Sequence, residues 1–90
     1  MKKHIIISGS VQGVGFRYWL HQAAVQKSIN GWVKNKISGE VEALLIGNEM
    51  EINNLIEICK KGPPSSKVTK IEVQNYQKEH FGKSFEIINT

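Results

Sequence analysis

The segment GSVQGVGFR, residues 9–17, combines residue types that bind anions. Its three glycines allow backbone N–H groups to converge on one concave spot, and Arg17 at its end carries a planar guanidinium with paired donors. An apolar β-branched run precedes the segment and a helical pattern follows it, so the loop would lie at a positively polarised helix N-terminus. The segment therefore predicts a phosphate cradle. The alternative is a glycine turn that only packs a strand on a helix and leaves Arg17 in solvent.

Neither of two common nucleotide-binding motifs fits this loop. Counted from Gly9, the phosphate-binding loop of nucleotide hydrolases requires a second glycine at the position of Val14. Counted from Gly13 and Gly15, the dinucleotide fingerprint requires a glycine at Tyr18. The residues alone thus predict an anion-binding loop and no recognisable nucleotide site.

The elements that position this loop alternate between strands and helices. Strands are predicted over residues 4–8, 32–37, 40–46, 68–76 and 85–88, and helices over residues 16–29 and from 48 to the break at 62. Asn48 is the predicted N-cap of the second helix, and Asn30-Gly31 is the predicted end of the first. This β-α-β-β-α-β order with a short final strand predicts an α+β, ferredoxin-like two-layer sandwich. Both helices would cover one face of a mainly antiparallel sheet.

Length and composition indicate one soluble domain, which we place at residues 1–90. The net charge of +4 favours anionic partners, but the lysines are spread along the chain, so we expect no dedicated nucleic-acid binding. Cys59 is the one cysteine, which excludes an internal disulfide. The apolar run after the first residues is too short for a signal peptide, and no stretch approaches the ~20 apolar residues of a membrane span. We therefore expect a cytoplasmic monomer that does not bind membranes.

Four motifs in order resemble the acylphosphatase family: VQGVGFR at 11–17, GWVKN at 31–35, SGEVEA at 38–43 and GP at 62–63. The resemblance covers roughly residues 4 to 88. It implies the ferredoxin-like sandwich already predicted, and hydrolysis of the carboxyl–phosphate bond of small-molecule acylphosphates without a metal or other cofactor. The family's catalytic arginine and asparagine correspond to Arg17 and Asn35. One departure is Ser10, where many relatives carry a basic residue, and it would weaken substrate attraction slightly.

The resemblance also implies a simple mechanism. The leaving carboxylate is the conjugate base of an acid with a pKa near ~4, so no general acid is needed, and positioning and electrostatics suffice. Arg17 and loop N–H groups would hold the phosphoryl oxygens, Asn35 would orient the attacking water, and a phosphate oxygen would take the proton. The product, inorganic phosphate, would compete for the same cradle. The loop N–H groups belong to Gln12, Gly13, Val14, Gly15 and Phe16.

For some residues a purely structural role is the alternative to a role in the site. On an alternating strand Asn35 shares a face with Val33 and Ile37, where a strand-end amide could simply bond nearby backbone. The GWVKN motif favours the catalytic role. Tyr18 is predicted to pack in the core or to line the edge of the site, and Cys59 is predicted to be a small core residue.

Two other functions suit the same architecture. RNA-binding domains of this fold stack bases on aromatic residues of the two central strands, and neither Ile5-Ile6-Ile7 nor the set Val41, Ala43 and Leu45 supplies one. A non-catalytic anion sensor would keep the cradle and lack Arg17 or Asn35, and both residues are present.

Overall fold

The computed structural model describes residues 1–80 and 82–89, and within them five strands and two helices alternate. Both helices have 11 residues, and neither is long and apolar enough to cross a membrane. The order agrees with the predicted one, and the ferredoxin-like α+β sandwich is confirmed. In chain order the elements are β1 (Lys2–Ser10), α1 (Phe16–Gln26), β2 (Asn30–Asn35), β3 (Val41–Ile46), α2 (Glu49–Cys59), β4 (Lys67–Asn75) and β5 (Phe85–Ile88).

The sheet has the strand order β4-β1-β3-β2-β5. Strand β1 pairs antiparallel with β3 and β4, the central strand β3 pairs antiparallel with β2, and β2 pairs parallel with β5. Strands β1, β2 and β5 therefore run in the same direction and end at the same edge of the sheet. This edge collects the loop after β1, the last residue of β2 and the chain that follows β5.

The core lies between the inner face of the sheet and the two helices. Alternate residues of β1 and β3 point into it, as the period of two requires, and burial of each large side chain stabilises the fold by roughly 1.5–3 kcal/mol. Cys59 is fully buried here, and burial raises the pKa of its thiol to about 12, so it is a packing residue as predicted. The central members of the core are Ile5, Ile7, Phe16, Leu20, Ala24, Val33, Val41, Ala43, Leu45, Ile52 and Leu55.

The opposite face of the sheet carries the remaining side chains of each strand, which point away from the helices. Of the residues that bear on the RNA-binding alternative, Ile5, Ile7, Val41, Ala43 and Leu45 are fully buried and face the helices, whereas Ile6 is half-buried.

The central strands therefore present a different set of side chains on the open face. The one ring among them belongs to His4, whose Nε2 lies 2.6 Å from the Glu42 carboxylate. The cross-strand neighbours of Leu44 are His4 and Trp32, and Leu44 is fully buried although it points away from the helices. These rings therefore cover an apolar residue of the sheet.

The end of α1 and the beginning of β2 differ from the prediction. The helix ends at Gln26 and not at Ile29, because Ser28 adopts a left-handed conformation with φ 56°. Gly31 belongs to β2 and does not stop the helix. A Cβ at Gly31 would lie 1.9 Å from the Leu44 carbonyl oxygen, and its φ is +132°. Glycine is required there by the close approach of β3.

Strand β2 also ends earlier than predicted. It ends at Asn35, and a turn follows in which the Lys36 N–H donates to the Glu40 carbonyl at 2.8 Å. Ile37 lies in this turn and is fully exposed. The prediction that Asn35 shares a face with Ile37 is therefore wrong, although Val33 does lie on the buried face. Asn35 is instead the last strand residue before the turn.

Candidate active site

A cavity of about 360 Å³ opens at the edge where β1, β2 and β5 end. Its walls come from the glycine loop, the start of α1, the end of β2 and the end of β5. This location follows from the strand directions, because three strands that run the same way bring their carboxyl ends together. The lining residues are Val11, Gly13, Gly15, Phe16, Arg17, Tyr18, Asn35, Ile87 and Asn89.

The glycine loop lines the cavity with backbone in a conformation that side chains disfavour. Gly13 and Gly15 have φ values of +75° and +76°. A Cβ at either position would meet nothing within 4 Å, so the left-handed backbone, and not lack of room, calls for glycine. The loop therefore leaves open space beside its backbone, as an anion cradle requires.

Within residues 1–80 and 82–89, no side chain bonds the first N–H groups of α1. Gly15 is the N-cap residue, no side chain caps the helix, and its first turn has no acidic residue. Helix α2 is different, because Asn48 Oδ1 accepts from the N–H groups of Met50 at 2.9 Å and Glu51 at 3.2 Å. The prediction of Asn48 as N-cap is thereby confirmed. The first turn of α1 keeps its donors and its partial positive charge for a bound anion.

Arg17 is half-buried in the first turn of α1 and is held by the end of β5. Its Nη1 donates to the Ile88 carbonyl at 3.2 Å and to Asn89 Oδ1 at 2.7 Å. These two bonds orient the guanidinium at the cavity wall. A guanidinium has five N–H donors, so those not used by β5 remain for a bound anion.

Asn89 was not predicted from the sequence. Strands β2 and β5 pair in parallel register, with Val33 beside Ile87 and Lys34 beside Ile88. The next residues in that register are Asn35 and Asn89, and both line the cavity. No local pattern marks Asn89, because its place depends on the pairing of two strands that lie far apart in the chain.

Asn35 is half-buried at the end of β2, where its cross-strand partner is Val41. The nearby side-chain hydrogen bonds are made by Gln12 and Arg17. The amide of Asn35 itself makes no hydrogen bond to residues 1–80 or 82–89. The amide therefore borders the cavity without a partner in the described part of the chain. This arrangement favours the predicted water-orienting role of Asn35 over the strand-end alternative.

Gln12 and Val14 do not line the cavity with their side chains. Gln12 Nε2 donates to the carbonyls of Lys36 at 2.7 Å and Glu40 at 2.9 Å, which ties the glycine loop to the turn after Asn35. Val14 packs against the core. The predicted binding role of both residues rests on their backbone N–H groups.

The turn after Asn35 is further held by the carboxylate of Glu40. The Ser38 hydroxyl donates to it at 2.8 Å, and Lys36 Nζ lies 3.5 Å away. The hydrogen bond from the Ser38 hydroxyl is the main cause that lowers the pKa of Glu40 below its ordinary value, and the Lys36 ammonium lowers it further. The carboxylate is ionised at neutral pH. The turn is therefore fixed by its own side chains as well as by Gln12.

Metal ligands are not gathered in any part of the chain that the structure describes: residues 1–80 and 82–89 contain no group of three or more His, Cys, Asp or Glu side chains placed to hold an ion. The cavity wall offers a guanidinium, backbone and two amides. These are groups for an anion and a water molecule.

Comparison with known proteins identifies relatives of the whole chain. The sequence model of the acylphosphatase family matches residues 3–87. An acylphosphatase of Koribacter versatilis is 41% identical over 88 residues, which are 98% of this chain and 80% of that one. The crystal structure of an acylphosphatase from Bacillus subtilis has a TM-score of 0.92 at 40% identity, with 98% of both chains covered. An acylphosphatase structure from Coxiella burnetii has a TM-score of 0.91 at 32% identity, with 97% of this chain and 90% of that chain covered.

Proposed function

Because the chain belongs to the acylphosphatase family and is an acylphosphate hydrolase, we propose that the cavity binds the phosphoryl group and directs water onto it. One observation carries this proposal. The glycine loop, the uncapped start of α1, Arg17 and Asn35 all border the same cavity. Donors for an anion thus face an amide that can hold water.

In the bound substrate, the phosphoryl oxygens accept from the loop N–H groups and from the guanidinium of Arg17. Arg17 is already oriented by the Ile88 carbonyl and by Asn89, so its remaining donors are fixed before the substrate enters. Donors placed in advance stabilise developing charge without reorganisation during the reaction. The backbone donors are those of Gln12, Gly13, Val14, Gly15 and Phe16.

The chemical step needs a positioned water and no general acid. The amide of Asn35 holds the water in line with the bond that breaks. The water oxygen bonds to phosphorus, the bond from phosphorus to the carboxylate oxygen breaks, and its electron pair leaves with the carboxylate. A phosphoryl oxygen takes the water's proton, which gives inorganic phosphate. Positioning and charge stabilisation therefore supply the catalysis.

We expect the enzyme to hydrolyse benzoyl phosphate and to leave phenyl phosphate almost untouched. The two substrates share a ring, but phenolate is the base of an acid with a pKa of about 10, and its departure requires a proton that this cavity has no acid to give. A missing general acid typically lowers the rate by ~10²–10⁴-fold, so phenyl phosphate should be slower by at least that factor. Phosphate release from each substrate checks the ratio, with an EDTA-treated sample as the control that should keep full activity.

Equal turnover of both substrates would contradict the mechanism. Loss of activity in EDTA, with recovery when a divalent ion is added, would reveal a metal. Phosphate binding without any turnover would return the anion-sensor alternative.

We expect Gln12→Ala to lower kcat by about 10-fold, because a small displacement of the residues that position water is enough for such a loss. The turn keeps its own bond from Lys36 to Glu40, so the free energy of unfolding should fall by only ~1 kcal/mol. Benzoyl phosphate kinetics and thermal melting measure both effects. Gln26→Ala, an exposed glutamine at the end of α1, is the matched control and should change neither. A lower melting temperature with normal kcat would show that the tether only stabilises the fold.

We also propose that the enzyme acts as a cytoplasmic monomer without nucleic-acid or membrane partners. A single copy of the chain brings Arg17, Asn35 and the glycine loop to one cavity. The small substrate and its phosphate product need no second surface.

A further inference from the structure

The cavity has a polar part and an apolar part. The polar part consists of the glycine loop, Arg17 and the two asparagines, and the apolar part consists of Val11, Phe16, Tyr18 and Ile87. Val11 and Phe16 are almost fully buried, so they form its floor. Tyr18 is 65% exposed and therefore stands at the mouth.

The packing of the core does not account for Tyr18. Its neighbours in α1, Phe16 and Trp19, form an edge-to-face pair with ring centroids 5.3 Å apart and belong to or pack against the core. Tyr18 is absent from that cluster. Its aromatic surface is instead offered to the cavity that Arg17, the preceding residue, also borders. Of the two positions predicted from the sequence, the structure therefore has Tyr18 at the border of this cavity and not in the core cluster.

The direction of the reaction gives this surface a function. In an in-line displacement, the attacking water and the leaving carboxylate lie on opposite sides of phosphorus. Asn35 lies in the sheet layer, and Tyr18 lies on α1 in the helix layer. Water held by Asn35 therefore directs the acyl group toward α1, where Tyr18 is the exposed apolar side chain at the mouth.

We propose that Tyr18 selects the acyl group of the substrate, so that acylphosphates with a flat or extended apolar acyl group are favoured over two-carbon ones. This proposal rests on the function proposed above. An aryl group offers a flat apolar face to the tyrosine ring, whereas an acetyl group offers only one methyl. The phenolic hydroxyl stays in solvent while the ring face serves the ligand.

The contact acts on binding and leaves the chemical step unchanged, because the ring meets the acyl group equally in the ground state and in the transition state. We expect Tyr18→Ala to raise KM for benzoyl phosphate by about 3- to 10-fold, the range of one aromatic contact, with kcat unchanged. KM for acetyl phosphate and the inhibition constant of inorganic phosphate should stay the same. Tyr18→Phe, which keeps the ring, should match the original protein.

Val25→Ala is the matched control, because Val25 is also exposed on α1 and does not line the cavity. A selective rise in KM for benzoyl phosphate supports the proposal. It is overturned if Tyr18→Ala changes neither KM, or if it weakens both substrates and phosphate equally, which would mean that Tyr18 acts through Arg17. If the unmodified protein hydrolyses neither acylphosphate, the proposed function itself fails, and this outcome is separate from the other two.

Discussion

Replacing Arg17 with alanine should lower kcat/KM for benzoyl phosphate by at least ~10²–10³-fold, the usual loss when one preorganised donor to developing charge is removed. Arg17 is the one side-chain cation that borders the described cavity, and β5 fixes its orientation through the Ile88 carbonyl and Asn89. Because the proposed role of Arg17 is to bind the same oxygens in substrate and product, the inhibition constant of inorganic phosphate should rise as well. Steady-state kinetics with phosphate as a competitive inhibitor measure both quantities.

Arg17→Lys should recover little of this loss. An ammonium has no planar fork, so it cannot bond β5 and a phosphoryl group in the same geometry. Lys70→Ala is the charge-matched control, since it removes an exposed cation from β4, the outer strand farthest from β5, and Lys70 does not line the cavity. If Arg17→Ala kept near-normal turnover and phosphate affinity, the phosphate would have to bind elsewhere. If Lys70→Ala were equally impaired, the loss would reflect overall charge.

Replacing Asn35 with alanine should lower kcat by about 10²-fold and leave the inhibition constant of inorganic phosphate nearly unchanged. The reason is the proposed division of tasks in the cavity, in which the loop and Arg17 bind the phosphoryl oxygens and Asn35 holds the water. The melting temperature should also remain close to the original, because its amide makes no hydrogen bond to residues 1–80 or 82–89 whose loss would destabilise the fold. Kinetics, phosphate inhibition and thermal melting on one variant give all three values.

Two further variants sharpen this test. Asn30→Ala removes a half-buried asparagine from the opposite end of β2 and should leave kcat intact. Asn35→Asp keeps the shape and adds a negative charge beside the phosphoryl group, so it should weaken phosphate binding in addition to lowering kcat. A drop in melting temperature with normal kcat for Asn35→Ala would make Asn35 a structural residue and leave the water without a partner.

The sequence by itself determined the order of the elements and the position of the glycine loop. Both depend on short-range rules: the period of apolar residues, the capping side chain of Asn48, and the need for glycine where the backbone is left-handed, as at Gly13 and Gly15. Arg17 and Asn35 could also be singled out from the sequence, because each lies in a motif that is located without knowledge of the fold, but it is the direction of the strands that brings both to one cavity.

Tertiary structure decided the ends of the elements and the surroundings of those residues. Strand β2 ends at Asn35 because Lys36 and Glu40 close a turn. The hydrogen-bond partners of the Gln12 side chain are in that turn, so they follow only from the packing of the turn beside the glycine loop.

The contact of Arg17 with Asn89 joins residues 72 positions apart. It exists because β2 and β5 pair in parallel and end at the same edge as β1. Local sequence cannot specify such a contact, since strand order and register result from the packing of all layers together.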